Sequence, residues 1–317
     1  MRTADRPGTA REDAARRVKA VLFDLDNTIA LEDLATARAF ADASAIARGR
    51  VDTGALAAAA EAEAEARWRS GPLFAWADGI GISSGEALWG DFAGPGAELA
   101  ALRAFVPEYR WAVWRGALRR CGVVDAALAS QLDAAFERVR LAAEPIDPDA
   151  EAVLDELRND YRLALVTNGA PAIQRAKLAL TGLARRFDAV VVSGEIGAGK
   201  PDPRVVHAAL AALDVGPHEA AMVGDSVERD VAAARAAGVY AVWLDRGSGP
   251  LASAGAGVQS SGAEKRGAAG SVRAREGLTG PTGADARITS LRELPALLAG
   301  LPRPPVSPRD SRGPRPE

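Results

Sequence analysis

The sequence predicts an α/β protein built on a doubly wound, Rossmann-like parallel sheet, with an all-helical domain inserted after the first strand. Three observations carry this reading. Short runs rich in Val, Leu and Ala recur at 18–25, 163–166, 189–192, 220–223 and 240–244, each followed by Gly, Asn, Ser or Asp. Strands buried on both faces of a parallel sheet read as continuous apolar runs of this kind. Helical patterns separate the runs, and alternation of strand and helix is the mark of a doubly wound sheet. The stretch over 34–143 breaks the alternation, with helical patterns alone at 54–69, 99–120 and 125–141.

The expected core comprises 18–33 and 144–246. Its helix over 172–180 follows Pro171, whose fixed φ suits a first helical position. The helix over 204–213 follows Pro203, with Asp202 as a candidate cap, and that over 227–237 runs to Gly238, a natural stop. The inserted domain over 34–143 holds Trp68, Trp76, Trp89, Trp111 and Trp114, leaving only Trp243 elsewhere. Aromatics at that density read as its own hydrophobic core, with one or two left to face a ligand. Residues 247–286 are dominated by Gly, Ala and Ser, too little apolar surface to offset the entropy of ordering. A low-complexity insertion is expected there, and the core resumes over 287–301, where Ser290 is placed to cap a last helix. The segments 1–17 and 302–317 read as disordered tails.

Composition excludes several classes. With 48% hydrophobic residues the 317-residue chain is no disordered protein, and a net charge of -3 offers no basis for a nucleic-acid surface. No run reaches the roughly 20 apolar residues of a membrane span. The first 17 residues lack the apolar segment of a signal peptide, and the single cysteine, Cys121, permits no intrachain disulfide. A cytoplasmic protein is expected, bound to neither nucleic acid nor membrane, with its oligomeric state left open.

Four polar clusters stand at the C-terminal ends of the expected strands, the edge where open α/β sheets bind ligands. They are Asp24-Leu25-Asp26-Asn27-Thr28, Val166-Thr167-Asn168-Gly169, Gly199-Lys200-Pro201-Asp202-Pro203, and Gly224-Asp225-Ser226 with Asp230 five residues beyond Asp225. Taken singly, each has a plain structural explanation: a polar turn, a turn signal, a solvated lysine, a helix cap. Their joint order along one edge is what singles them out.

This ordered set resembles the haloacid dehalogenase superfamily, in the branch whose helical cap follows the first strand, over about 18–246 and again in the last helix. The resemblance implies a phosphatase that works through an aspartyl-phosphate intermediate with Mg²⁺ as cofactor. It implies that Asp24 is the nucleophile and Asp26 the general acid and then base. Thr167, Asn168 and Lys200 would bind the phosphoryl oxygens; Asp24, Asp26 and Asp225 would hold the metal, supported by Asp230. The strings Gln174-Arg175-Ala176-Lys177-Leu178, 187–195 and Met222-Val223-Gly224-Asp225 are similar to those of N-acylneuraminate-9-phosphatases and pyrimidine 5′-nucleotidases. They imply a small phosphorylated metabolite, a sugar phosphate or nucleotide, as substrate.

Elementary chemistry fits these residue types. A carboxylate can attack phosphorus and split one hard step into two. An anionic Asp24 and a phosphate dianion at ~4 Å, with an effective dielectric of ~20, repel by roughly 8 kcal/mol. A hard divalent cation removes most of that. The candidate ligands are oxygens, from Asp24, Asp225 and the Asp26 backbone carbonyl, and oxygens suit Mg²⁺. Zinc is disfavoured, because His207 and His218 are not spaced as a pair and Cys121 stands alone. The alternatives on the same fold are a phosphomutase, a 2-haloacid dehalogenase-type hydrolase and a non-catalytic regulatory module. A halide leaving group needs no proton, and dehalogenating members typically lack the second aspartate, so Asp26 favours phosphate chemistry. A regulatory relic would have damaged motifs, whereas Asp24, Asp26, Thr167, Lys200 and Asp225 are all present.

Overall fold

The computed structural model describes residues 18–247 and 282–301. The expected tails and residues 248–281 of the expected low-complexity insertion lie outside the described residues. The five apolar runs become β1 (Ala20–Phe23), β2 (Arg162–Thr167), β3 (Ala189–Val192), β4 (Ala220–Gly224) and β5 (Tyr240–Leu244). A sixth strand, β6 (Ala286–Ile288), adds to the edge. All pairs are parallel, in the order β3-β2-β1-β4-β5-β6. The chain builds outward from β1 to β3 and then returns to the other side of β1. Strand order therefore reverses between β1 and β4, and the crevice at their C-terminal ends is where such a sheet takes its ligand.

The sequence pattern misses β6 for a physical reason. It is three residues long and carries the exposed Arg287, so it offers no apolar run. What fixes it is Asp285, whose backbone N–H donates to the Ala241 carbonyl while its carboxylate accepts from the Ala241 N–H, both at 2.9 Å.

An all-helical stretch follows β1: α1 (Glu32–Ser44), α2 (Thr53–Arg69), α3 (Phe74–Ile80), α4 (Ser84–Ala87), α5 (Ala97–Arg120) and α6 (Ala126–Ala142). Asp52 and Asp125 cap α2 and α6 by accepting from the N–H of Ala55 and Leu128. Trp68, Trp89 and Trp114 are buried in this helical insertion with Phe40, Phe136 and Tyr109, and Trp76 packs at its margin. The cluster also takes in Ala170 and Ile173 from beyond β2, so the insertion is seated on the sheet domain. No described helix is long and apolar enough to cross a membrane.

The sheet is covered on both faces. α7 (Ala150–Leu157), α8 (Pro171–Thr181) and α12 (Leu294–Ala299) pack one side through Leu154, Leu178 and Leu298. α10 (Arg204–Leu213) and α11 (Ala232–Ala236) pack the other through Val206, Leu210 and Ala233. A short helix, α9 (Ser193–Ile196), follows β3 directly. Pro171 occupies the first turn of α8 as expected, and Ser290 forms a capping box with Glu293 one turn ahead of α12.

One half-buried acid in the insertion is at odds with its surroundings. Asp133 on α6 has a buried carboxylate oxygen without a hydrogen-bond partner. Burial pushes its carboxyl up to about 6; Glu137 adds to the shift, while Arg110 and the ring nitrogen of Trp114 oppose it. The folded state therefore holds this proton more tightly than the unfolded chain. The contribution of Asp133 to stability falls as pH rises from about 4 to about 6, and the full penalty from this group persists above that. Asp133→Asn is expected to raise stability at pH 7.5 by about 2 kcal/mol, with the gain shrinking toward pH 4. Denaturant titrations of both proteins at the two pH values check it; an equal gain at both would remove the titration from the account.

Candidate active site

The centre of the site is a buried lysine held by the ends of three neighbouring strands. Lys200 Nζ donates to the Asp24 carboxylate just past β1, to the Val166 carbonyl at 2.8 Å near the end of β2, and pairs with Asp230 Oδ1 at 2.7 Å beyond β4. Lys200, Asp24 and Asp230 are all buried. Burial works against the lysine's charge, but Asp230 and Asp24 hold its pKa above the ordinary value, so it stays an ammonium. Burial pushes the Asp24 carboxyl up to about 6; Lys200 opposes this and Asp230 adds to it.

Local chain geometry builds this arrangement. Ser226 caps a π-helical turn, Val227–Val231, that carries Asp230 back toward the sheet, where its other oxygen accepts from the Ser226 N–H at 3.0 Å. Gly224 makes room: a Cβ there would lie 2.2 Å from the Asp230 carboxyl carbon. The turn after β1 is closed by bonds from the N–H groups of Thr28, Ile29 and Ala30 to the Leu25 carbonyl, with Asn27 in the left-handed region at φ 60°. Arg246 clamps it, donating to the carbonyls of Asn27 and Thr28 and to Asp147.

All the residues singled out in sequence meet at this edge, though not in one contact set. The Asn168 amide is engaged with the backbone of Lys200, accepting from its N–H at 2.8 Å and donating to its carbonyl at 3.0 Å. Its side chain thus straps the lysine loop. Thr167 Oγ1 donates to Gln174 Oε1 at 3.1 Å. Asp225 joins Asp24 and Asp230, whose carboxylate oxygens all lie within 4.8 Å of one another. The Asp26 carboxylate points elsewhere: Oδ1 accepts from Lys177 Nζ at 3.0 Å and Oδ2 from Gln174 Nε2 at 3.3 Å.

Those two partners belong to a buried charged cluster that sequence reasoning did not assign. Lys177 also pairs with Glu86 at 2.8 Å and Glu32 at 2.9 Å, and Arg140 pairs with Glu32 and Glu144. Two signals for it were present in the sequence. Ser83 and Glu86 have the spacing of a capping box, and Gln174 and Lys177 share a face of α8 at a three-residue interval.

The residues present fit a hard divalent cation. Asp24, Asp225 and Asp230 bring three carboxylates against the single ammonium of Lys200. At these distances each like-charged pair repels by about 3 kcal/mol with an effective dielectric of about 20. Burial raises the Asp225 carboxyl well above the usual range, with Asp24 and Asp230 adding to it and Lys200 opposing. A cation bound by oxygens would relieve this crowding, and the donor set is all oxygen.

Comparison with known proteins bears on the chain as a whole. A family model described as haloacid dehalogenase-like hydrolase matches residues 18–238. The chain is 45% identical over 234 residues to a phosphoserine phosphatase of Thermus thermophilus, covering 74% of this chain and 91% of that protein. It is 34% identical over 152 residues to an N-acylneuraminate-9-phosphatase of Rattus norvegicus, covering 47% of this chain and 61% of that protein. Among solved structures it is similar in fold to YfnB from Bacillus subtilis, at a TM-score of 0.55 and 16% identity, covering 89% of this chain and 99% of the other.

The close approach at Gly224 makes a direct test. Gly224→Ala is expected to displace Asp230 from Lys200 and lower phosphatase turnover by at least about tenfold. Gly216→Ala, whose Cβ would meet only the Glu219 side chain at 3.6 Å or more, should leave turnover near the parent value. Steady-state rates on p-nitrophenyl phosphate compare the two; equal activity in both variants would show that Asp230 does not organise the site.

Proposed function

The chain belongs to the haloacid dehalogenase-like hydrolases and is a phosphatase, and we propose that Asp24 takes up the phosphoryl group of a small phosphomonoester as an aspartyl phosphate. The observation that carries this reading is the pair of aspartates at the end of β1, each held by a different buried lysine, Asp24 by Lys200 and Asp26 by Lys177. Asp24 sits against Lys200 with its carboxyl at about 6, so it is ionised at neutral pH and can attack. Burial pushes the Asp26 carboxyl up to about 8; Lys177 opposes this, and Glu32, Glu86 and Asp24 add to it. Its side chain remains 27% exposed, so a substrate can reach it. A carboxyl whose burial favours its proton, beside a carboxylate paired with a lysine, fits the division of labour an acid and a nucleophile require.

In the forward step the Asp24 carboxylate bonds to phosphorus and the ester oxygen leaves with the proton of Asp26. In the second step Asp26, now a carboxylate, takes a proton from water, which attacks phosphorus and frees Asp24. Lys200 offsets charge on the phosphoryl oxygens throughout, and the Thr167 hydroxyl, by turning from Gln174, can donate to one of them. Magnesium, held by Asp24, Asp225 and the backbone carbonyl of Asp26 with Asp230 in support, would supply the remaining neutralisation between nucleophile and phosphate.

Phosphoserine leads the candidate substrates. The match to the phosphoserine phosphatase is too long to fit outside the helical insertion, whereas substrate choice cannot come from motifs that touch only the phosphoryl group. The sugar phosphates and nucleotides expected from the core strings follow it. The presence of Asp26 argues against haloacid hydrolysis.

Phosphate release from phosphoserine, glycerol phosphate, ribose 5-phosphate, a pyrimidine nucleotide and p-nitrophenyl phosphate, with and without Mg²⁺, tests the reading. Phosphoserine is expected to rank first and the metal to be required. Asp24→Asn should keep the fold and lose at least about a thousandfold in turnover, with no acid-stable label on the protein. Near-parental turnover in that variant would overturn the mechanism.

A further inference from the structure

Five charged side chains, Lys177, Glu86, Glu32, Arg140 and Glu144, lie beneath Asp26, and their arrangement is more specific than stability demands. Replacing a buried ion pair with apolar residues of similar volume is often neutral or stabilising, so ion pairing alone does not account for such a cluster. Lys177 has three N–H donors, and three carboxylates surround it: Asp26 from the sheet domain, Glu86 from α4 and Glu32 from α1. Its ammonium is fully buried and has no freedom of aim. Gln174, one turn earlier on α8, gives Nε2 to both Asp26 and Glu86 and takes the Thr167 hydroxyl on Oε1.

Glu86 is the hub on the side of the insertion. Its Oε1 accepts from Lys177 at 2.8 Å and from Gln174 at 2.7 Å, while its Oε2 accepts from the Ser83 N–H at 2.8 Å. One oxygen is thus fixed to the backbone of the insertion and the other to both residues that grip Asp26. The seat around it is tight. A Cβ at Gly90 would lie 2.2 Å from Ile173 Cδ1, and one at Gly81 would lie 2.6 Å from Asn168 Cβ. Were the insertion to lift, Lys177 and Gln174 would each lose Glu86.

From this geometry, and resting on the reading of Asp26 as general acid given above, we infer that Glu86 and Lys177 are positioning residues through which the seated helical insertion aims the Asp26 carboxyl at the leaving group. Proton delivery is then complete only when the insertion is docked. Neither residue touches the phosphoryl group; both act through Asp26, Lys177 directly and Glu86 by way of Lys177 and Gln174.

A leaving-group comparison tests this, because a structural role would not depend on the ester. The full-length protein with Mg²⁺ is mixed in a rapid-quench instrument with phosphoserine, whose leaving alkoxide needs a proton, and with p-nitrophenyl phosphate, whose leaving group does not. Phosphoenzyme formation is measured for the parent, Asp26→Asn, Glu86→Gln and Lys177→Met. Glu86→Gln and Lys177→Met are expected to slow the alkyl ester by about 10- to 100-fold and the aryl ester by less than about threefold, in the direction of Asp26→Asn. The double variant should slow the alkyl ester by less than the product of the two single effects, since both act through Asp26. Equal slowing of the two esters in Glu86→Gln, with Asp26→Asn still discriminating, overturns the inference and leaves the acid in place. If Asp26→Asn itself slows both esters equally, the assignment of the acid falls and this inference with it. Should Lys177→Met not fold, the near-isosteric Glu86→Gln decides alone.

Discussion

A buried lysine cannot remain charged without partners, and the requirement to supply them organises this protein. Lys200 is drawn into the crevice between β1 and β4, where the backbone provides one carbonyl and two aspartates provide the rest. Removing an ammonium from water costs several kcal/mol, which only close, well-aimed oxygens offset. Each partner comes from a different strand end, so satisfying the lysine brings Asp24, Val166 and Asp230 to one point. Neighbouring details follow from it. Asn168 straps the lysine's backbone, Gly224 leaves room for Asp230, and the π turn returns that residue to the sheet.

The same constraint explains why the edge is electrically crowded. Two carboxylates suffice to hold the lysine, and Asp225 adds a third within 4.8 Å. Proteins seldom gather like charges in the interior without a use for them, and perturbed carboxyls in a cleft are a mark of functional sites. Here the excess of negative charge faces the place where a phosphate, itself anionic, would have to approach. The crowding and the proposed chemistry therefore call for the same remedy, a hard cation among oxygens.

A second polar centre lies on the far side of Asp26 and joins the two halves of the chain. Buried charge clusters are better explained by specificity of arrangement than by net stabilisation. Lys177, Gln174 and Glu86 illustrate this, since their bonds set where the insertion sits relative to α8 and not merely that it sits there. Arg140 on α6 and Glu144 just past its end continue the cluster, and burial pushes the Glu144 carboxyl up to about 7, with Glu32 adding and Arg140 opposing. The aromatic residues of the insertion, by contrast, mostly fill its own core.

The linear sequence determined the features that depend on local periodicity and on residue type. Continuous apolar runs must be buried on both faces, so β3 and β5 were legible to the residue, and the other three long runs within a few positions. The placement of Asp24, Thr167 and Asp225 at one edge was legible because each ends or directly follows such a run, and strand ends in a parallel sheet share one edge, whereas Lys200 arrives there on the loop between α9 and α10. β6 was not, since its pairing rests on Asp285 meeting Ala241 across 44 positions rather than on any apolar pattern of its own. Nor was the direction in which each polar side chain turns. Asn168 faces a lysine's backbone, Asp26 faces Lys177, and Glu86 reaches across 91 positions to meet the same ammonium. Hydrogen-bond partners of buried polar groups are chosen by three-dimensional proximity and by the need to leave no donor unmet, and neither leaves a periodic trace along the chain.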